Sequence, residues 1–102
     1  MAAPVILRWT PLAIDHLESV HEYVAADSPA AANEVVDRIL SAAETLARYP
    51  QLGRPGRVEA TRELVVTGTP FIVAYRMRRN QIQILAVLHG AQRWPDQFPA
   101  SC

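Results

Sequence analysis

Phe71-Ile72-Val73-Ala74-Tyr75-Arg76-Met77 and Ile82-Gln83-Ile84-Leu85-Ala86-Val87-Leu88-His89 are two runs rich in β-branched and aromatic residues, with only four residues between them. Such residues fit a pleated, half-buried surface. In the first run Phe71, Val73, Tyr75 and Met77 fall on one face, and Ile72, Ala74, Arg76 and Arg78 on the other. In the second, Ile82, Ile84, Ala86 and Leu88 alternate against Gln83, Leu85, Val87 and His89. Arg79-Asn80 sits where a tight hairpin turns, and Gly90 ends the second strand. Strict alternation puts Ile72, Ala74 and Arg76 beside Leu85, Val87 and His89 on one face.

Upstream, Arg62 to Val66 reads as another short strand. Pro50-Gln51-Leu52-Gly53-Arg54-Pro55-Gly56-Arg57 reads as a loop, because Pro and Gly interrupt both periodic structures. Before the loop the period changes. Ala32, Val35, Val36, Ile39, Leu40, Ala43 and Leu46 mark an amphipathic helix from Ser28-Pro29 to about Tyr49. Ala13, Ile14, Leu17, Val20, His21 and Val24 mark another, from Thr10-Pro11 to about Ala26. Each start pairs an N-cap residue with Pro at the first helical position. Asp27 and Ser28 leave room only for a helical hairpin. Val5 to Trp9 is a first strand, and residues 91–102 form a tail crossing the sheet edge, pinned by Trp94 and Phe98. The architecture expected is α+β with the order β-α-α-β-β-β. The helical hairpin covers one face of a small, mainly antiparallel sheet and leaves the other open. That open face, with a few polar groups set among apolar ones, is where a site is expected.

The 102 residues suit a single domain, with a core over about 5–96 and a tail over 97–102. No apolar run approaches a bilayer span. The formal net charge is zero, which argues against bulk electrostatic capture of nucleic acid. The neutrality hides a segregation: residues 1–50 hold three Arg and seven acids, while residues 51–102 hold seven Arg and three acids. All ten bases are Arg. The single cysteine, Cys102, permits no disulfide framework within the chain and suits a reducing cytoplasm.

Few residues suggest chemistry. His16 and His21 are five apart on a helix and face different ways, so no metal site and no cofactor is expected. His21 reads as half-buried and His16 as solvated. His89 reads as a strand-end histidine bonded to backbone, with a general base as the alternative. No nucleophile pairs with it in a recognisable motif. Arg54, Arg57, Arg62, Arg76, Arg78, Arg79 and Arg93 offer a grip on phosphate or an acidic protein. Arg78-Arg79 fits a solvated turn, whereas Arg62 and Arg76, inside strands, read equally as rim or partner contact. Trp9 and Trp94 read as packing anchors.

Together these residues resemble a known family. Asp15-His16-Leu17 in a first helix, then Leu46, Pro50, Gly53 and Arg54, then Arg62-Glu63-Leu64-Val65-Val66, Tyr75-Arg76, Ile84 to His89 and Trp94-Pro95 resemble the RelE/ParE superfamily of type II toxins. The resemblance covers roughly residues 5–96. It implies a toxin neutralised by an antitoxin that wraps it. RelE-like members cleave messenger RNA on the ribosome, and ParE-like members inhibit DNA gyrase without that nuclease site. The nucleases resemble one another in a Tyr-Arg-x-x-Tyr element and a terminal basic-Arg pair. Here Phe71-Ile72-Val73-Ala74-Tyr75 has Ile in place of the first Arg, and His89-Gly90 has Gly in place of the second.

The resemblance therefore implies a ParE-like toxin that is not an enzyme, binds gyrase, and is neutralised by a ParD-like antitoxin in a heterotetramer or larger assembly. Operator binding would belong to the antitoxin. The expected target contacts are Arg62, Arg76, His89, Arg93 and Trp94. The expected antitoxin contacts are Arg54, Arg57, Arg62, Ile72, Arg76 and Leu85. The alternatives are a residual RelE-like ribonuclease and an inactive homologue that only binds its antitoxin.

Overall fold

Thr10 and Ser28 start the two helices as their sequence context requires. The computed structural model describes residues 5–91 together with Pro95 and Phe98. Thr10, in extended backbone, accepts the Ala13 N–H on its Oγ1 at 3.3 Å, and Pro11 opens α1 (Pro11–Ala25). Ser28 accepts the Ala31 N–H at 3.2 Å, and Pro29 opens α2 (Pro29–Arg48). Each cap satisfies an amide that the helix leaves without a partner. The helices pack on one another and present Ala13, Val20, Ile39, Ala43 and Leu46 to the core. Ile14, placed on the apolar stripe by periodicity, is instead 44% exposed.

The strands are β1 (Ile6–Trp9), β2 (Arg54–Pro55), β3 (Arg62–Val65), β4 (Phe71–Arg78) and β5 (Gln81–His89). They form one mixed sheet in the order β1-β5-β4-β3-β2. β1 runs parallel to β5, and the other pairs are antiparallel. Arg79, at φ 56, and Asn80 make the two-residue turn between β4 and β5, with Arg78 opposite Gln81. The core lies between helices and sheet, where Val73, Tyr75, Ile82, Ile84 and Val87 meet the helical stripe. Trp9 packs against it, as expected of an anchor.

Three expectations about the sheet and its faces are corrected. First, the stretch 50–57 is not all loop: Arg54–Pro55 pairs with Arg62 and Glu63 as β2. A two-residue strand is too short to show a period.

Second, alternation fails in β5. Ala74 lies opposite Ala86 but Tyr75 lies opposite Ile84, so Leu85 is an extra, unpaired residue. Such a bulge shifts the parity of everything beyond it. Val87 and His89 therefore face the helices beside Val73 and Phe71, while Ala86 and Leu88 join Ala74 on the far face.

Third, the far face is not open at its centre. Phe98 packs against the buried Ala74, Ala86 and Leu88. Phe98 is thus anchored on the sheet, and Trp94 lies outside the described residues.

Beyond the end of β1, the edge of β5 is closed by α1. Thr10 N–H and Oγ1 both donate to Ile84 O, at 3.1 and 2.8 Å. Val87 N–H donates to His16 Nδ1 at 3.2 Å. His16 is therefore a half-buried edge cap and not a solvated side chain.

Candidate functional site

The loop after α2 is fastened from beneath by β4 and β3. The Tyr75 side chain is fully buried, and its hydroxyl donates to Pro50 O at 2.7 Å and accepts from Gly53 N–H at 2.9 Å. Burial pushes the Tyr75 phenol above its ordinary pKa, opposed by the Gly53 N–H and the Arg62 charge. A Cβ on Gly53 would lie 2.7 Å from the Tyr75 ring and 2.8 Å from Glu63 O, so only glycine fits. Arg62 donates to Gly53 O at 2.7 Å.

Glu63 is 2% exposed and carries the rest of the load. Its carboxylate accepts from Arg54 at 3.2 Å and from the Arg57 backbone N–H at 2.7 Å, with the Arg57 Nε at 3.7 Å. A buried carboxylate persists only when paired and hydrogen-bonded in this way.

Ile72 and Gly90 come together at the other end of β4. Gly90 N–H donates to Pro70 O at 2.9 Å, and a Cβ on Gly90 would lie 3.5 Å from Ile72 Cδ1. Ile72 is 6% exposed. Ile72 and Gly90 are thus neighbours, with Ile72 Cδ1 beside the space a Gly90 side chain would take. On the opposite face His89 meets Phe71 edge-on, with ring centroids 5.7 Å apart, and its Nδ1 accepts the Ala91 N–H at 3.0 Å. The strand-end reading of His89 therefore holds. His89, His16, Tyr23, Val24, Phe71 and Val87 line a groove of about 420 Å³ beside α1. Burial lowers the His16 pKa from its ordinary value, opposed by Asp15. Its Nδ1, as an acceptor, requires that same neutral form.

The expected contact residues do not share one surface. Arg62 lies opposite the core residue Tyr75, and His89 faces the groove beside α1, both on the helical side. Arg76 is on the far side, where its Nε donates to Gln83 Oε1 at 2.6 Å. Arg54 and Arg57 engage Glu63, and Ile72 and Leu85 are buried. Arg93 and Trp94 lie outside the described residues. Sequence reasoning missed Glu63, whose signal was an acid inside an apolar strand, and Gln83, whose signal was a polar residue inside the β5 run. It also left out Arg8, which the parallel pairing sets opposite Gln83. Among the described residues no group of three His, Cys, Asp or Glu side chains is placed to hold a metal. No described helix is long and apolar enough to cross a membrane.

The architecture is a helical hairpin packed on one face of a five-stranded mixed sheet, and it is the architecture of small toxins of toxin-antitoxin systems. The family described as ParE toxin of type II toxin-antitoxin system, parDE, matches residues 7–94. Y4kP of Sinorhizobium fredii, a protein designated a toxin, is 46% identical over 90 residues, covering 88% of this chain and 93% of Y4kP. Toxin RelE2 of Caulobacter vibrioides is 33% identical over 84 residues, covering 82% of this chain and 93% of RelE2. A solved structure of the chromosomal ParDE TA system from P. aeruginosa superposes with a TM-score of 0.77 at 28% identity, covering 84% of this chain and 96% of that one. The chain belongs to the ParE toxin family of the RelE/ParE superfamily.

Proposed function

We propose that this chain arrests growth by binding DNA gyrase, does not cut RNA, and is neutralised by a ParD-like antitoxin. The observation that supports the reading is that Ile72 and Gly90, the two residues standing where the resemblance puts arginines in the nucleases, are neighbours at one end of the β4–β5 pair. Cleavage through a 2′-hydroxyl needs a group to take its proton and cations to hold the charge that develops on the phosphate. Ile72 and Gly90 supply neither. Losing one such donor costs about 10²–10³ in rate, and two together leave no useful cleavage. Phe98 on Ala74, Ala86 and Leu88 supports the same reading, since it occupies the centre of the sheet face expected to hold a site. The antitoxin of this reading has an acidic segment that folds on binding, and the pair assembles as a heterotetramer or larger.

Arg76 with Arg93 and Trp94 is the proposed gyrase contact. In a supercoiling assay the purified toxin is expected to inhibit gyrase, and Arg76→Ala with Arg93→Ala to relieve growth arrest in cells lacking antitoxin. Unimpaired supercoiling by gyrase would overturn the target. A second reading, ribosome-dependent cleavage, is favoured by the names of the Caulobacter relatives RelE2 and RelE3. Cleavage of translated messenger RNA by the purified toxin would establish it in place of the first. Expression without growth arrest would mark an inactive homologue.

A further inference from the structure

The groove of about 420 Å³ beside α1 lies at the end of the sheet away from the β4–β5 turn, where Phe71 pairs with His89. Its lining is largely apolar. Phe71 and Val87, both buried, come from the sheet, and Val24 and Val35 come from the two helices. Among the described residues no Asp, Glu, Lys or Arg lines it.

The polar groups that do line it are set in one protonation state by the backbone. His16 Nδ1 accepts the Val87 N–H at 3.2 Å, and His89 Nδ1 accepts the Ala91 N–H at 3.0 Å. An imidazole that accepts on Nδ1 is neutral and carries its proton on Nε2. Each ring is therefore an Nε2–H donor. The His16 Nε2–H finds no acceptor among the described residues. Burial, which lowers the His16 pKa, favours the same neutral form. Beside these donors Phe71 and His89 meet edge-on, with ring centroids 5.7 Å apart, and make an aromatic corner.

We propose that this groove binds a small, uncharged, planar aromatic molecule carrying a hydrogen-bond acceptor, such as an aryl ketone or amide. The proposal does not rest on the gyrase or antitoxin readings. The volume falls within the range of small-molecule sites, which pair an apolar lining with a few placed polar groups. A charged ligand would lose water there and gain no ion pair. A flat ring extends the Phe71–His89 cluster by offset or edge contact. A carbonyl oxygen meets the His16 Nε2–H, a donor that an apolar ligand would cover and leave unsatisfied. An extended peptide is a poorer occupant. The Val87 N–H, which could pair with an added strand, is already taken by His16.

The test is an amide chemical-shift titration of the isotope-labelled full chain at neutral pH with four ligands of similar size. Acetophenone is expected to shift the Val24, Phe71 and Val87 amides with a Kd of about 10⁻⁴ M. Ethylbenzene lacks the acceptor and cyclohexyl methyl ketone lacks the ring, so each should bind about tenfold more weakly. Benzoate should give no saturable shift. Ser19→Trp, at an exposed position lining the groove, should fill it and abolish the acetophenone shifts. Glu18→Trp, exposed on the same helix but outside the groove, should leave them unchanged. Equal loss from Glu18→Trp, or shifts spread over the whole chain, would overturn the site. Ethylbenzene or benzoate binding as tightly as acetophenone would overturn the ligand class. No saturation with acetophenone below about 10 mM would overturn both.

Discussion

Two regions of the sheet hold arginines in opposite circumstances. Beside β2 and β3, Arg54, Arg57 and Arg62 answer a buried carboxylate and a loop carbonyl. At the β4–β5 turn, Arg8, Arg78 and Arg79 answer no acid among the described residues, and Arg76 is held only by a glutamine. The same side chain is a fold determinant in one place and an available cation in the other. The difference is set by Glu63. A buried anion left without a partner is costly, whereas an exposed guanidinium returned to water costs little.

The largest expected effect breaks the first region. Arg54→Ala with Arg57→Ala should lower stability by about 3 kcal/mol in urea unfolding, because Glu63 stays buried without a cation. A loss as small as that at the turn end would erase the distinction. Gly53→Ala should cost about 2 kcal/mol, since the added methyl meets the Tyr75 ring and the Glu63 carbonyl. A pH dependence is expected from the edge cap at His16. His16 binds its proton less readily folded than unfolded. Its contribution is therefore complete above the unfolded value of 6.5 and is lost as pH falls from there through the lower folded value. The part of the acid destabilisation that vanishes in His16→Gln measures it. The smallest effect is expected at the turn. Arg78→Ser with Arg79→Ser should change stability by less than about 0.5 kcal/mol.

The helices were legible because Thr10-Pro11 and Ser28-Pro29 act within one turn of themselves, and because the apolar stripes need only a period. The β4–β5 hairpin was legible for the same reason up to Leu85. One inserted residue then reversed the facing of Val87 and His89, and no local signal announced it. The site was less legible than the fold. Arg54, Arg57 and Arg62 looked available because the charge pattern does not say which acid is buried among them. Arg8 looked irrelevant because the parallel partner of β1 lies more than seventy residues away along the chain.

The sequence by itself determined the kinds of element, their order and the family resemblance, since these depend on neighbours in the chain. Only the tertiary structure decided which arginines are engaged, which face His89 takes, and that Arg8 stands beside Arg76. Pairing register and burial are properties of distant segments brought together, and a guanidinium has no fixed role until its surroundings give it an acid or leave it to water.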